Sequence, residues 1–365
     1  MSFESGSLSF RMFHLASALP ADFVARFARQ AVPPIETLGT GDISGWVTSR
    51  HLLDRNITDE SAMVAGYLRL TLMKAERVIP PALLKAECKM EELAEMQARG
   101  LPFLKRSERS AIKKEVTARL LPTMPPTLTG IDIACDPQGQ YLYATATTDK
   151  QLDALRLNFR HTTGLDLVPF DPETVAAKTI KTDIRDLAPS SFSPELDDDM
   201  AEAHIGRDFL TWLWFFSEAC GGVATLDAGP FSVAIEGPLC FMFEGAGAHE
   251  TVLRNGQPLV SAEARTALIN GKKLKRAKVT LARDEAVWKF TFDADSFTLR
   301  SAQLPQGEDL DPISRFQDRM LALDTLREVI TGFYTRFLDE RLNTDEWKAI
   351  REDIRKWVGN RRSKA

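Results

Sequence analysis

From Ala277 to Leu299, apolar residues occupy every second position in three successive runs: Ala277, Val279 and Leu281; Trp288, Phe290 and Phe292; Phe297 and Leu299. A period of two puts side chains on one face of a strand, so three runs joined by short polar turns predict an antiparallel meander. A sheet with one apolar face needs a second layer to cover it. Candidates for that layer are visible on both sides of the meander. The stretch GRDFLTWLWFFSEACGG (206–222) is hydrophobic nearly all round and stops at Gly221-Gly222, which predicts a buried helix. After Asp311-Pro312, the residues Phe316, Met320, Leu323 and Ile330 lie on one helical stripe. Asn343-Thr344-Asp345-Glu346 has the spacing of a capping box and opens a last helix, with Trp347, Ile350, Ile354 and Trp357 as its apolar face.

Upstream, SLSFRMFHL (7–15) alternates as a strand, Phe23, Phe27 and Val32 suggest a short amphipathic helix, and 61–80 reads as a strand ending at a proline pair. The period then changes. Pro81 suits a first helical position, Leu83, Ala86, Met90 and Leu93 recur at helical spacing, and Gly100 is a natural stop. A second helix over 107–121 ends at Pro122, giving a helical hairpin across 76–122. Two strands around Asp136-Pro137-Gln138-Gly139, a helix over 150–161 and a short strand over 165–169 follow, an order that loosely mirrors the N-terminal one. The expected fold is α+β, with mixed or antiparallel sheets, a long helical hairpin, the meander and C-terminal helices. Its expected parts are an α+β domain over 1–187 with two related halves, an exposed Ser/Pro/acid-rich linker over 188–204, a helix plus antiparallel strands over 205–305, and a helical segment over 306–365.

Charge is segregated along this frame. The formal net charge of the 365 residues is -5, yet 104–122 carries +4, 271–283 carries +6 and 355–365 carries +5, which leaves -20 for the rest. Lys105, Arg109 and Lys113 stand four apart, beside a ridge of Ile112, Val116 and Leu120 that should be buried. In the second patch, Arg276, Lys278 and Thr280 face away from Ala277, Val279 and Leu281, with no acid in the stretch to pair the cations. A solvated helix face and the protection of an edge strand are the alternative readings. Two patches and a basic tail point instead to a polyanion held through its phosphates.

Other functions find less support. No apolar run is long enough to cross a bilayer, and no basic segment with an apolar core suggests a leader, so a cytoplasmic protein is expected. Cys88, Cys135, Cys220 and Cys240 are far apart and read as reduced thiols. There is no Gly-rich phosphate loop, no G-x-S-x-G and no H-E-x-x-H, and His14, His51, His161, His204 and His249 are isolated. Glu195, Asp197, Asp198 and Asp199 could serve a metal-dependent nuclease but sit in the expected linker. Trp212, Trp214 and Phe216 could instead dock a partner in an adaptor, although their all-round hydrophobic helix favours burial.

Taken in order, RVIPPALLKAECKMEELAEMQARG, KRSERSAIKKEVTARLLP, GIDIA, GRDFLTWLW and LINGKKLKRAKVTL resemble the recombination-associated protein RdgC family, most specifically over 77–122. The resemblance implies a non-enzymatic, cofactor-free, nucleoid-associated protein. It implies a ring-shaped homodimer that encircles duplex DNA without sequence preference and restrains RecA-type recombinase filaments. The candidate phosphate contacts are then Lys105, Arg106, Arg109, Lys113, Lys114 and Arg119 on the hairpin, with Lys272, Lys273, Lys275, Arg276 and Lys278 on the second patch. Met124, standing where relatives carry an aromatic residue, and Arg254 and Gln257, in a turn that matches the other contact approximately, are the implied dimer contacts. A segment over 209–250 is additional to the shorter relatives.

Overall fold

The computed structural model describes residues 3–181, 184, 187–198, 201, 203–243, 249–305, 307 and 311–360. Strand β1 (Leu8–Leu15) is followed by α1 (Phe23–Arg29), β2 (Asp42–Thr48), α2 (Asp59–Ala62), β3 (Met63–Val64) and β4 (Tyr67–Arg77). The expected hairpin is α3 (Pro81–Arg99) and α4 (Arg106–Leu120). Then come β5 (Pro126–Cys135), β6 (Tyr141–Ala144), α5 (Asp149–Thr163), β7 (Leu167–Pro169) and α6 (Pro172–Thr179). The remainder is α7 (Ile205–Ala219), β8 (Val223–Leu226), β9 (Gly229–Met242), β10 (Glu250–Leu253), α8 (Ala262–Ile269), β11 (Lys273–Arg283), β12 (Ala286–Asp293), β13 (Thr298–Gln303), α9 (Pro312–Leu342) and α10 (Thr344–Asn360).

The chain is α+β, with one large sheet of order β10-β9-β11-β12-β13-β1-β6-β5-β4-β2 whose named pairings are antiparallel. Strand β1 joins its two parts. Leu8 and Phe10 pair with Ala302 and Leu299 of β13, whereas Arg11 to His14 pair with Ala144 to Tyr141 of β6. The meander is β11-β12-β13, as the alternation predicts. Its apolar face is covered by α7 and α9. Phe209 packs edge-on to Phe292 and Tyr334, and Trp212 stacks on Phe216 and leans on Phe337. The 209–250 segment therefore supplies a central core helix and the long strand β9 that pairs with β11. Trp212, Trp214 and Phe216 are 1%, 0% and 3% exposed, so an adaptor face built on them is overturned.

Helix ends follow local chemistry. Pro81 opens α3, and Gly100 closes it in the left-handed region at φ 62°. The Asp311 carboxylate accepts from the Ile313 and Ser314 amides at the start of α9, and Asn343 Oδ1 accepts from the Glu346 amide at the start of α10. Strand β2 is not evident in the sequence, because Gly45 interrupts its alternation. The glycine is required there: a Cβ would lie 2.5 Å from the Val32 Cα, where β2 passes against the 31–32 backbone.

The 188–198 stretch is not the exposed linker its composition suggests. Ser190, Ser191, Phe192 and Ser193 are between 1% and 3% exposed. Phe192 packs edge-on to Trp347, the Trp347 indole donates to Ser190 Oγ at 3.0 Å, and the Arg355 Nε donates to the Ser191 carbonyl at 3.2 Å. Small hydroxyl side chains let this strap lie flat against α10 while its polar atoms find partners.

Candidate nucleic-acid interface

Strands β4 and β5 pair from Leu68↔Cys135 to Arg77↔Pro126, so the hairpin leaves the sheet at the Arg77 end. At 1.5 Å per residue, α3 reaches about 28 Å. The hairpin is an arm rather than a core element: no α3 side chain is buried, and in α4 only Val116 is. Of the expected buried ridge, Ile112 and Leu120 are half-buried. The stripe Ala86, Met90 and Leu93 faces solvent, since the face that α3 turns to α4 carries Glu87, Glu91 and Glu92.

Those acids sort the cations of α4 into two groups. Arg119 donates to Glu91 at 2.8 Å and Glu87 at 3.0 Å, Arg109 Nε lies 4.0 Å from Glu92, and Arg99 of α3 reaches Glu108 at 2.8 Å. Lys105, Arg106, Lys113 and Lys114 are exposed and form no ion pair with any described residue. The expected ridge Lys105–Arg109–Lys113 is thus interrupted at Arg109. Exposed ion pairs contribute little stability, and a phosphate can compete for Arg109 and Arg119.

The second patch departs from its sequence reading. Acids absent from 271–283 arrive from neighbouring elements: Lys275 pairs with Asp295 at 3.2 Å, Arg276 with Glu250 at 3.2 Å and Asp293 at 3.5 Å, and Lys278 with Glu236 at 2.8 Å. Lys272 donates to Thr251 Oγ1 at 2.7 Å. Lys273 is 2% exposed, with its Nζ 2.5 Å from Asp208 Oδ1, so it is not a phosphate contact. The sheet order sets five strand spacings between β11 and β5, about 24 Å, so the two patches do not form one continuous stripe.

The pairing on β11 has a measurable pH signature. Hydrogen bonds from Lys278 and Thr280 hold the Glu236 carboxyl below its ordinary 4.5. A depressed carboxyl stabilises the fold above its unfolded pKa, and that contribution is lost as pH falls through the folded value. Glu236→Gln is therefore expected to lose a few tenths to about 1 kcal/mol at neutral pH, as exposed pairs do. The difference from wild type should close below about pH 4 in urea unfolding. A gap that does not narrow as the pH is lowered would assign the effect to packing.

The acidic run does not converge. Asp198 is bound by Arg351 and by Arg355 at 3.2 Å, Glu195 and Asp197 are exposed, and Asp199 lies outside the described residues. Among the described residues, no three His, Cys, Asp or Glu side chains are grouped as metal ligands would be. All four cysteines are free thiols. No helix among the described residues is long and apolar enough to cross a membrane. Met124 is half-buried at the hairpin root, where its carbonyl accepts from Arg77, while Arg254 and Gln257 are exposed beyond β10. Of the basic tail, Arg355 is engaged with Asp198 and Glu352, Lys356 pairs with Asp353, and 361–365 lies outside the described residues.

Comparison with known proteins places this arm in context. The chain is 32% identical over 106 residues to the recombination-associated protein RdgC of Tolumonas auensis, an alignment covering 29% of this chain and 35% of that protein. It thus spans about a third of the length of the curated relative it matches. A family model described as "Putative exonuclease, RdgC" matches residues 9–201, a span that contains the whole hairpin and excludes β11. With more than half of its 365 residues matched by that model, the chain belongs to the RdgC family.

Proposed function

We propose that the chain is a sequence-nonspecific duplex-DNA-binding protein of homologous recombination, with no catalytic step of its own. The observation that carries this reading is the sorting of charge on α4: Lys105, Arg106, Lys113 and Lys114 stay exposed and without ion pairs to described residues while the hairpin's own acids engage Arg109 and Arg119. Cations held on a helical arm meet phosphates with little further loss of freedom, and phosphate contacts carry no sequence information. The name of the Tolumonas auensis relative supports the recombination role.

The same reading makes the protein a homodimer that closes around the duplex and limits access of a RecA-type recombinase. Exposed Met90 (57%) and Leu93 (52%) on α3 and Phe103 (66%) in the turn to α4 support a second copy as the covering surface, since large apolar side chains exposed on a projecting element mark contact sites. Met124 at the arm's root and the turn bearing Arg254 and Gln257 are the proposed closure points.

The test compares a linear duplex with the same duplex blocked at both ends by bulky groups, each incubated with Mg²⁺ or Mn²⁺. A closed ring loses binding to the blocked duplex and leaves both DNAs intact. Equal binding to both would exclude threading. Shortened strands would make the protein a nuclease, as the family description has it, and Asp198→Ala would show whether the acidic run is responsible.

A further inference from the structure

Cations also converge far from the hairpin in sequence, where α9 passes into α10. A cleft of about 620 Å³ lies there between the two helices and the 187–190 strap. Among the described residues, its charged lining comprises Arg341, Lys348 and Arg351 against one carboxylate, Asp198. Asp198 is already held by Arg351 and Arg355, and its Oδ1 accepts from the Ser191 amide at 2.9 Å. The first-turn acids Asp345 and Glu346 are exposed and do not line the cleft.

Arg341 is the unusual member. It is only 8% exposed, its guanidinium lies 4.9 Å from the Trp347 ring centre, and one Nη donates to the Ala188 carbonyl. Among the described residues, its Nε has no acceptor, and neither does the Nε of Arg351. Asp208, which lines a smaller cavity of about 130 Å³ on Arg341, is bound to Lys273. A buried guanidinium cannot shed its proton to escape the cost of burial, and although Asp198, Glu173 and Asp208 line the cavities around Arg341, its Nε still lacks a hydrogen-bond acceptor among the described residues. The amino end of α10 adds its positive pole at the rim, where Thr344 lines the cleft.

We propose that this cleft binds a phosphate group, with Arg341, Arg351 and Lys348 as its donors. A tetrahedral oxyanion offers acceptors in several directions at once, which suits two guanidinium edges and an ammonium converging from different helical turns. The site is independent of the hairpin and does not rest on the DNA-binding reading. Its phosphate comes either from a small free ligand or from nucleic acid.

Calorimetric titration of the full chain with inorganic phosphate, against chloride at matched ionic strength, tests the assignment. Saturable binding is expected. Lys348→Glu, at an exposed position that leaves the fold intact, weakens it about tenfold or more, as loss of a charge-assisted contact does. Charge reversal at Lys113 and Lys114 leaves it unchanged. Repeating the titration with a short duplex present separates the sources: suppressed phosphate binding identifies nucleic acid, and undiminished binding identifies a small ligand. No saturable heat, or equal affinity in Lys348→Glu, overturns the site.

Discussion

Reversing the charge of Lys113 and Lys114 together is expected to lower duplex affinity about 60-fold per chain at ~0.1 M salt, equally for unrelated sequences. The figure follows from counterion release. Each phosphate neutralised contributes about 0.9 to the slope of log K against log salt, so two lost contacts flatten the slope by about 1.8 and remove about 1.8 decades of affinity at ~0.1 M. Both side chains are exposed, so the fold should not change. Lys278→Ala is the matched contrast. That lysine is held by Glu236 at 2.8 Å on a strand distant from the arm, and its removal is expected to change affinity less than about threefold. Binding by the hairpin variant that matches wild type in affinity and slope would remove α4 from the interface.

The largest expected effect on stability lies at Asp208. Both members of the Asp208–Lys273 pair are almost fully buried, at 3% and 2% exposed. Burial pushes the Asp208 carboxyl up, and Lys273 opposes that shift. Asp208→Ala removes the carboxylate that lies 2.5 Å from the Lys273 ammonium between α7 and the strap, where Lys273 also lies 5.6 Å from the Phe192 ring centre. Removing one partner of a buried pair costs about 3–5 kcal/mol, whereas replacing both by apolar residues of similar size is often neutral. Asp208→Ala should therefore show a much lower urea midpoint, and Asp208→Leu combined with Lys273→Met should recover most of it. A loss below about 1 kcal/mol in the single variant would mean that water reaches the pair.

Much of the architecture was legible because it is written in local periods. The meander, the buried α7, the hairpin between Pro81 and Pro122 and both C-terminal helices each follow from repeated apolar spacing or a capping residue. The misread parts depend on contacts distant in sequence. The strap looked like a linker because serine, proline and acid are common in loops, and nothing local announced that Arg351, Arg355 and Trp347 would engage it. The cations of β11 looked unpaired because their acids stand on β9, β10, β12, the β12–β13 turn and α7. In the hairpin, acids and bases alternate on two adjacent helices, and only their packing decides which cations stay available. Arg341 gave no signal, since one arginine in a helix says nothing about burial. The break at Asn343, with Lys348 and Arg351 beyond it, was the one available hint of a cationic corner.

The most direct test of the central claim is the salt dependence of binding by the wild-type chain to two short duplexes of unrelated sequence. Four available cations on α4 predict the same affinity for both duplexes and a log–log slope of at least about -3.6 per chain. A slope near zero, or strong preference for one duplex, would contradict binding through phosphates by this arm.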